Sequence, residues 1–261
     1  MQLPVQELSA TILSTPPWIA SPLHLSAHGA HNAQVPIEIP SASEWSVSNS
    51  KRFIDVSTAL LVLFPLAIPM LGIAICVRLS SKGPALFVQN RVGRGGRLFG
   101  IYKFRSMTVD SSTGPGLTRR GDRRVTALGQ WLRRFKLDEI PQFYNVLRGE
   151  MSLVGPRPKL AIYESITNMP YRPGITGAAT LAFRREEDIL GGIHASQLES
   201  FYATEIKPLK ARLDLDYMSQ ATLRSDLRLI AATLFACLRP AELILLPSTE
   251  EARGEGSSMI A

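Results

Sequence analysis

The longest unbroken pattern in the chain is apolar. From Val56 to Val77, "VSTALLVLFPLAIPMLGIAICV" runs for 22 residues without a charge. As one straight helix it would be roughly 33 Å long, enough to cross a hydrocarbon core of about 30 Å. A core helix of a water-soluble domain shows a polar face, and this run shows none. It reads as membrane-embedded. Pro65 and Pro69 fall near its middle, where each removes a backbone donor. Lys51 and Arg52 precede the run, and Arg78 and Lys82 follow it. Basic flanks favour the cytoplasmic side. One crossing cannot place both flanks there, whereas a proline-broken re-entrant hairpin can. On these residues alone a kinked crossing helix stays open.

Past this run, turn signals at Gly83-Pro84 and Gly93 to Gly96 bracket "ALFVQ" and "LFGIYKF", predicted as the strands of a hairpin. The glycine cluster lacks the G-x-G-x-x-G register and leads into a strand, so it reads as a turn rather than a nucleotide loop. Residues 107–124 form a polar loop. Val125, Leu128, Leu132 and Phe135 then recur at helical spacing beside Arg133, Arg134 and Lys136. That is a basic amphipathic helix, suited to a membrane surface or to packing on its own domain. The next helix is expected to open with Asp138 as N-cap, to carry Pro141 in its first turn, and to close at Gly149. Its dipole would keep Asp138 ionised. Leu223, Leu227, Ile230, Leu234 and Cys237 mark a last amphipathic helix, ended by Pro240 and too short to span a bilayer.

Charge sharpens the picture. The 261 residues carry a net +7, yet residues 1–50 hold no Lys or Arg, while 91–136 hold twelve against two acids. Such a block suits a nucleotide, a nucleic acid or an anionic membrane, or is simply a solvated basic face. Pro4, Pro16, Pro17 and Pro22 break the N-terminal stretch, which reads as a disordered tail; its His24, His28 and His31 lack the fixed geometry a metal needs. Cys76 and Cys237 both sit in apolar runs, so neither suggests a disulfide framework or a metal-ligand pair.

The candidate chemistry lies in "KLDEIPQFYNVLRGEMSLVGPRP", residues 136–158. Asp138 and Glu139 taken alone are ordinary helix-start acids. Around them stand Arg133 and Arg134, Arg157 in a rigid Gly-Pro-Arg-Pro turn, and Lys103 and Arg105 on either side of Phe104. Carboxylates among cations beside a membrane segment suit Mg²⁺-assisted phosphoryl transfer.

Together with "KRFIDV", "GPALFVQNRVGRGGRLFGIYKFRSM" and "YRPGITG", this stretch resembles the bacterial sugar transferase family, the monotopic polyprenyl-phosphate phosphoglycosyl transferases, over roughly residues 51–235. The resemblance implies an α/β (α+β), mostly helical membrane protein: a re-entrant helix hairpin and a small catalytic domain on the cytoplasmic face of the inner membrane. It implies transfer of a sugar 1-phosphate from a UDP-sugar to undecaprenyl phosphate with release of UMP, the first membrane step of exopolysaccharide or surface-glycan assembly. By the same resemblance Asp138 is the nucleophile that carries a phosphosugar, and Asp138, Glu139 and Asp214 hold Mg²⁺. Arg133, Arg157, Lys103 and Arg105 bind substrate phosphate, and Pro65 or Pro69 marks the membrane bend. With an active site at headgroup depth, the hairpin is preferred to the crossing helix. The expected division is a tail at 1–48, the hairpin at 49–82, the catalytic domain at 83–225, an amphipathic helix at 226–247 and a tail at 248–261, a short architecture for the family. Expected partners are the donor, the lipid acceptor and the bilayer, with no nucleic acid; a homodimer is left open. After "PGITG" the chain reads "AATLAFRREEDIL" where many members continue with "AQV", so the sugar is not specified. The alternatives from other classes are a membrane-anchored nucleic-acid binder and a non-catalytic scaffold.

Overall fold

A computed structural model of the protein describes residues 41–108, 122–160 and 169–238. The three tail histidines, most of the 107–124 loop and Pro240 lie outside them. Residues assigned by sequence to the tail already carry structure: a short helix α1 (Glu44–Val47), whose Ser43 cap accepts from the Ser46 amide at 3.2 Å. Its Trp45 Nε1 donates to Asp226 at 2.9 Å.

Helix α2 (Asn49–Ser80) starts at Ser48, whose hydroxyl accepts from the Lys51 amide at 3.0 Å. It is the one helix among the described residues long and apolar enough to cross a membrane. The helix runs through Pro65 and Pro69 without a break in its helical assignment, so the interruption expected at the prolines is not seen. Both ends of α2 rest on the same body. Arg52 donates to the Val146 and Leu147 carbonyls at 2.6 and 3.0 Å, and Asp55 accepts from the Ser152 hydroxyl and the Leu153 amide. At the far end Val77 is buried with Phe104 and Leu132. Between the ends, apolar side chains point outward: Phe64 is 89% and Ile68 82% exposed, with Leu60, Leu61 and Leu71 beside them. A contiguous apolar surface of this kind marks a membrane-associated protein. Lys51, read from sequence as part of a cytoplasmic basic flank, instead points inward, buried and paired with Asp226, which also accepts from the Tyr217 hydroxyl at 2.7 Å.

The predicted hairpin forms. Strands β1 (Leu86–Val92) and β2 (Leu98–Phe104) pair antiparallel, with Phe87 opposite Lys103, Gln89 opposite Ile101 and Arg91 opposite Phe99. Opposed residues share a sheet face, so Arg91 and Lys103 stand on the face whose Phe99 and Ile101 are buried. Helix α3 (Ala127–Arg134), capped by Thr126, buries Leu132 against Val77 and Phe104 and leaves Trp131 outside.

The acidic pair does not open an α-helix. Leu137–Glu139 is a single 3₁₀ turn entered through Lys136 in the left-handed region at φ 57°, and α4 (Gln142–Arg148) starts only after Pro141. The missing N–H of Pro141 explains the delayed ladder. Asp138 is therefore not an N-cap, and the dipole argument for its charge falls. Gly149, at φ 81°, closes α4 as expected.

Strands β3 (Ser152–Val154) and β4 (Gly174–Thr176) pair in parallel and frame the Gly155–Pro158 turn. The Gly155 amide donates to Thr176 and the Gly174 amide to Pro156, both at 2.9 Å. The backbones come so close that a Cβ on Gly174 would lie 2.1 Å from the Gly155 nitrogen. Helices α5 (Ala178–Ala182), α6 (Glu186–Gly191) and α7 (Leu198–Phe201) follow, and a π-helical stretch leads into α8 (Lys207–Gln220) and then α9 (Leu223–Leu238). Helix α9 begins ahead of the expected 226 and buries Leu229 beside Ala59 of α2. Among the described residues the protein is mostly helical, with two small sheets.

Candidate active site

Three elements converge on Glu139. The 3₁₀ turn presents its carboxylate, the framed turn presents Arg157, and β2 presents Lys103. Arg157 donates through Nη2 to Oε1 and through Nη1 to Oε2 at 3.3 Å, and Lys103 Nζ lies 3.4 Å from Oε1. Burial works against the charge on Glu139, but Arg157, then Lys103 and Lys136, outweigh it and hold the group well below the usual carboxylate range. In return Glu139 pushes Arg157 upward. Lys103 moves the other way: burial pulls it down to about 8, Glu139 opposes, and Arg157 adds to the fall.

Asp138 is the contrasting member of the pair. Burial first, then the neighbouring Glu139 charge, push it above the normal carboxylate value, against Lys103, Lys136 and Arg133. Its Oδ1 is buried with no hydrogen-bond partner. An unsatisfied buried acceptor is costly, and here it belongs to the more basic oxygen pair of the site. One acid is locked by cations while the other is free to react or to bind a cation.

The structure groups some of the expected residues and separates others. Asp138, Glu139, Lys103 and Arg157 lie together. Arg133 is near enough for its charge to act on Asp138, but its guanidinium is paired with Glu187 of α6. Arg105 is turned away from the cluster. Just past the end of β2, it donates to the Ser81 carbonyl at 2.6 Å, the Ser81 hydroxyl at 2.9 Å and the Val77 carbonyl at 3.3 Å, where a cation suits a helix C-terminus. Asp214 is also elsewhere. Its Oδ1 accepts from the Ala179 amide at 3.0 Å, and burial raises it to about 6.

The expected three-acid metal set is thus not assembled, and no group of three or more His, Cys, Asp or Glu converges as ligands among the described residues. The unpartnered Asp138 Oδ1 beside Glu139 does fit Mg²⁺ of the kind that takes one or two carboxylates and completes its octahedron with phosphate oxygens and water.

One nearby residue escaped the sequence reading. Arg91 borders the cluster: its charge faces both Arg157 and Glu139. The available signal was strand alternation, since "QNR" places Arg91 and Gln89 on the face that carries Lys103.

Residues 46–240 match the profile of a family described as bacterial sugar transferase. Among similar proteins, the undecaprenyl-phosphate glucose phosphotransferase of Komagataeibacter xylinus is 42% identical over 56% of this chain and 30% of its own length. A UDP-N-acetylgalactosamine-undecaprenyl-phosphate N-acetylgalactosaminephosphotransferase of Aeromonas hydrophila is 44% identical over 49% of the chain and 33% of its own. For the UDP-glucose:undecaprenyl-phosphate glucose-1-phosphate transferase of Caulobacter vibrioides the figures are 36% identity, 72% and 70%. The matched part of this chain spans about a third of the first two relatives. With its apolar helix, acidic pair and framed arginine turn all inside the matched segment, the chain belongs to the bacterial sugar transferase family.

Proposed function

We propose that the protein transfers a sugar 1-phosphate from a UDP-sugar to undecaprenyl phosphate, in two steps through Asp138. In the first, the free Asp138 oxygen attacks the sugar-linked phosphorus. The bond from that phosphorus to the bridging oxygen breaks, and UMP leaves with the oxygen. In the second, a phosphate oxygen of the lipid attacks the same phosphorus. The aspartyl bond breaks, the carboxylate is restored, and undecaprenyl-diphosphate-sugar is formed. Lys103 and Arg157 neutralise the phosphate oxygens. Glu139 fixes Arg157 in direction, and its negative charge raises the basicity of its neighbour. Held by Asp138 and Glu139, Mg²⁺ would supply further charge neutralisation at the phosphates.

One observation carries this reading: a buried, unpartnered carboxylate oxygen stands next to a carboxylate locked by two cations. Nucleophile and phosphate cradle are then already separate parts. The relatives named for UDP-sugar and undecaprenyl-phosphate chemistry support the substrate class, and the product class suits initiation of exopolysaccharide or another surface glycan. A second observation supports a site at headgroup depth. Both ends of α2 pack on the catalytic body, an arrangement suited to a helix that enters and leaves one leaflet, with the active site on the cytoplasmic face of the inner membrane.

The test is UMP release by the full chain in detergent or nanodiscs with Mg²⁺, undecaprenyl phosphate and a panel of UDP-sugars. Wild type should release UMP with at least one donor, and Asp138→Asn should release none and show no added phosphosugar mass. Turnover by Asp138→Asn at the wild-type rate would remove the two-step reading.

A further inference from the structure

Arg91 sits beneath the turn that aims Arg157. Its Nη1 reaches the Pro158 carbonyl at 3.4 Å, and its Nη2 donates to Gln89 Oε1 at 2.5 Å. One residue along, the Val92 amide donates to the Lys159 carbonyl at 3.0 Å. The end of β1 is therefore tied to the chain just after Arg157 at two successive carbonyls. The Nε–H of Arg91 is buried and has no acceptor. Burial and the Arg157 charge pull Arg91 down to about 10, with Tyr202 and Glu139 opposing.

Two guanidinium groups held this close repel one another. With Lys103 in the same cluster, Arg91, Arg157 and Lys103 all stand around Glu139. An unsatisfied buried donor and an excess of positive charge are both unfavourable in the free protein, and both are relieved by an anion with several oxygens. Lys136, whose charge also acts on both acids, makes four cations against two carboxylates, and the two negative charges of a sugar-nucleotide diphosphate match that surplus.

We infer that Arg91 is a positioning residue for the diphosphate of the donor: it holds the Pro158 carbonyl, thereby aims the Arg157 fork, and supplies positive charge that the diphosphate neutralises. Lysine cannot reproduce a planar fork bonded at two points, so the two roles separate by substitution. The inference rests on the proposed function for the identity of the donor, but not for the presence of a diphosphate site.

The experiment measures UDP affinity by calorimetry at two salt concentrations, together with UMP release, for full-length wild type, Arg91→Gln and Arg91→Lys, each checked for thermal midpoint. Loss of a charged hydrogen-bonding partner is expected to weaken UDP binding about tenfold or more in Arg91→Gln and to flatten its salt dependence. Arg91→Lys should recover UDP affinity and its salt dependence to within about threefold, while kcat stays down about tenfold because Arg157 is no longer aimed. A folded Arg91→Gln that binds UDP like wild type overturns the inference. So does a Lys variant as deficient as the Gln variant with an equal fall in thermal midpoint, which would make Arg91 a structural brace only. Wild type that binds UDP yet releases no UMP overturns the proposed reaction and leaves the affinity series to decide this one; wild type that binds no UDP overturns both.

Discussion

Arg157 grips both carboxylate oxygens of Glu139, and Lys103 shares one of them. Glu139 thus serves mainly as a counter-charge that holds the phosphate-binding cations in place. Glu139→Gln leaves two cations without it and lowers the basicity of Asp138. Removing one partner of a wholly buried pair costs about 3–5 kcal/mol. Arg157 keeps 32% side-chain exposure and can rehydrate, so about 2 kcal/mol is expected here. UMP release should fall about a hundredfold or more, while UDP binding survives. Thermal unfolding and single-turnover release check the two halves separately; full activity would sink the role.

Lys103 predicts a pH limb. Burial, then the nearby guanidinium charges, bring it to about 8 against the pull of Glu139. As pH rises through that value the free enzyme loses a positive charge that phosphate needs. The profile of kcat/KM, which reports the free enzyme, should therefore decline above about 8. Lys103→Arg should shift this decline beyond the accessible range. An identical limb in the Arg variant would assign it elsewhere.

Lys136 combines backbone strain with charge. At φ 57° it costs about 1–2 kcal/mol relative to a relaxed residue, and its charge acts on both acids. Lys136→Gly relieves strain but removes the charge, whereas Lys136→Val removes the charge and worsens the strain. The expected thermal midpoints run Gly above Lys above Val. UMP release should fall in both variants, further in Val. Equal midpoints for Gly and Val would show that the left-handed turn is not maintained.

These residues also show how far the sequence could be read. The hairpin, the amphipathic basic helix and the Gly149 stop follow from local pattern, and local chemistry sustains them in the fold. Asp138 and Glu139 were legible as a pair, but not their division into one locked and one free acid. That division arises from Arg157 and Lys103, which approach from separate elements. Arg105 was misassigned because two cations flanking Phe104 look equivalent, yet the strand ends at Phe104 and sends Arg105 to the end of α2. Lys51 looked like a membrane flank and is instead a buried partner of Asp226, a contact across 175 residues that no local pattern encodes.

Asp214 separates a metal ligand from a structural acceptor. Burial raises it to about 6, with the Ala179 amide, Lys159 and Lys210 opposing. Between the unfolded value of 3.8 and about 6 the folded state holds the extra proton. Stability therefore falls as pH rises through that window and is level above it. The loss amounts to about 3 kcal/mol. Asp214→Asn keeps an acceptor for the Ala179 amide and carries no charge. It should be as stable as wild type or more so at pH 7.5, without the decline between 4 and 6, and should need the same Mg²⁺ for half-maximal release. A large rise in that Mg²⁺ requirement would restore Asp214 to the metal site.

The packing of both ends of α2 on one body makes a topological prediction. Arg52 holds the last carbonyls of α4, and Arg105 holds the last carbonyls of α2 itself. A helix that left the domain through the membrane could satisfy only one of these contacts. Single cysteines at positions 48 and 82, in a chain lacking Cys76 and Cys237, should both resist an impermeant maleimide added to intact cells. Both should react once the inner membrane is opened. Labelling of one position from outside would mean that α2 crosses, and that one of the two arginine contacts breaks in the bilayer. Arg52→Ala should meanwhile lower both stability and UMP release, because α4, which directly follows the acid pair, loses its tie to α2. The Val146 carbonyl keeps the Gly149 amide at 3.0 Å, whereas the part-buried Leu147 carbonyl loses its donor at a cost of about 1 kcal/mol. An Arg52→Ala protein as stable and active as wild type would show that the anchor and the acid pair are not mechanically joined.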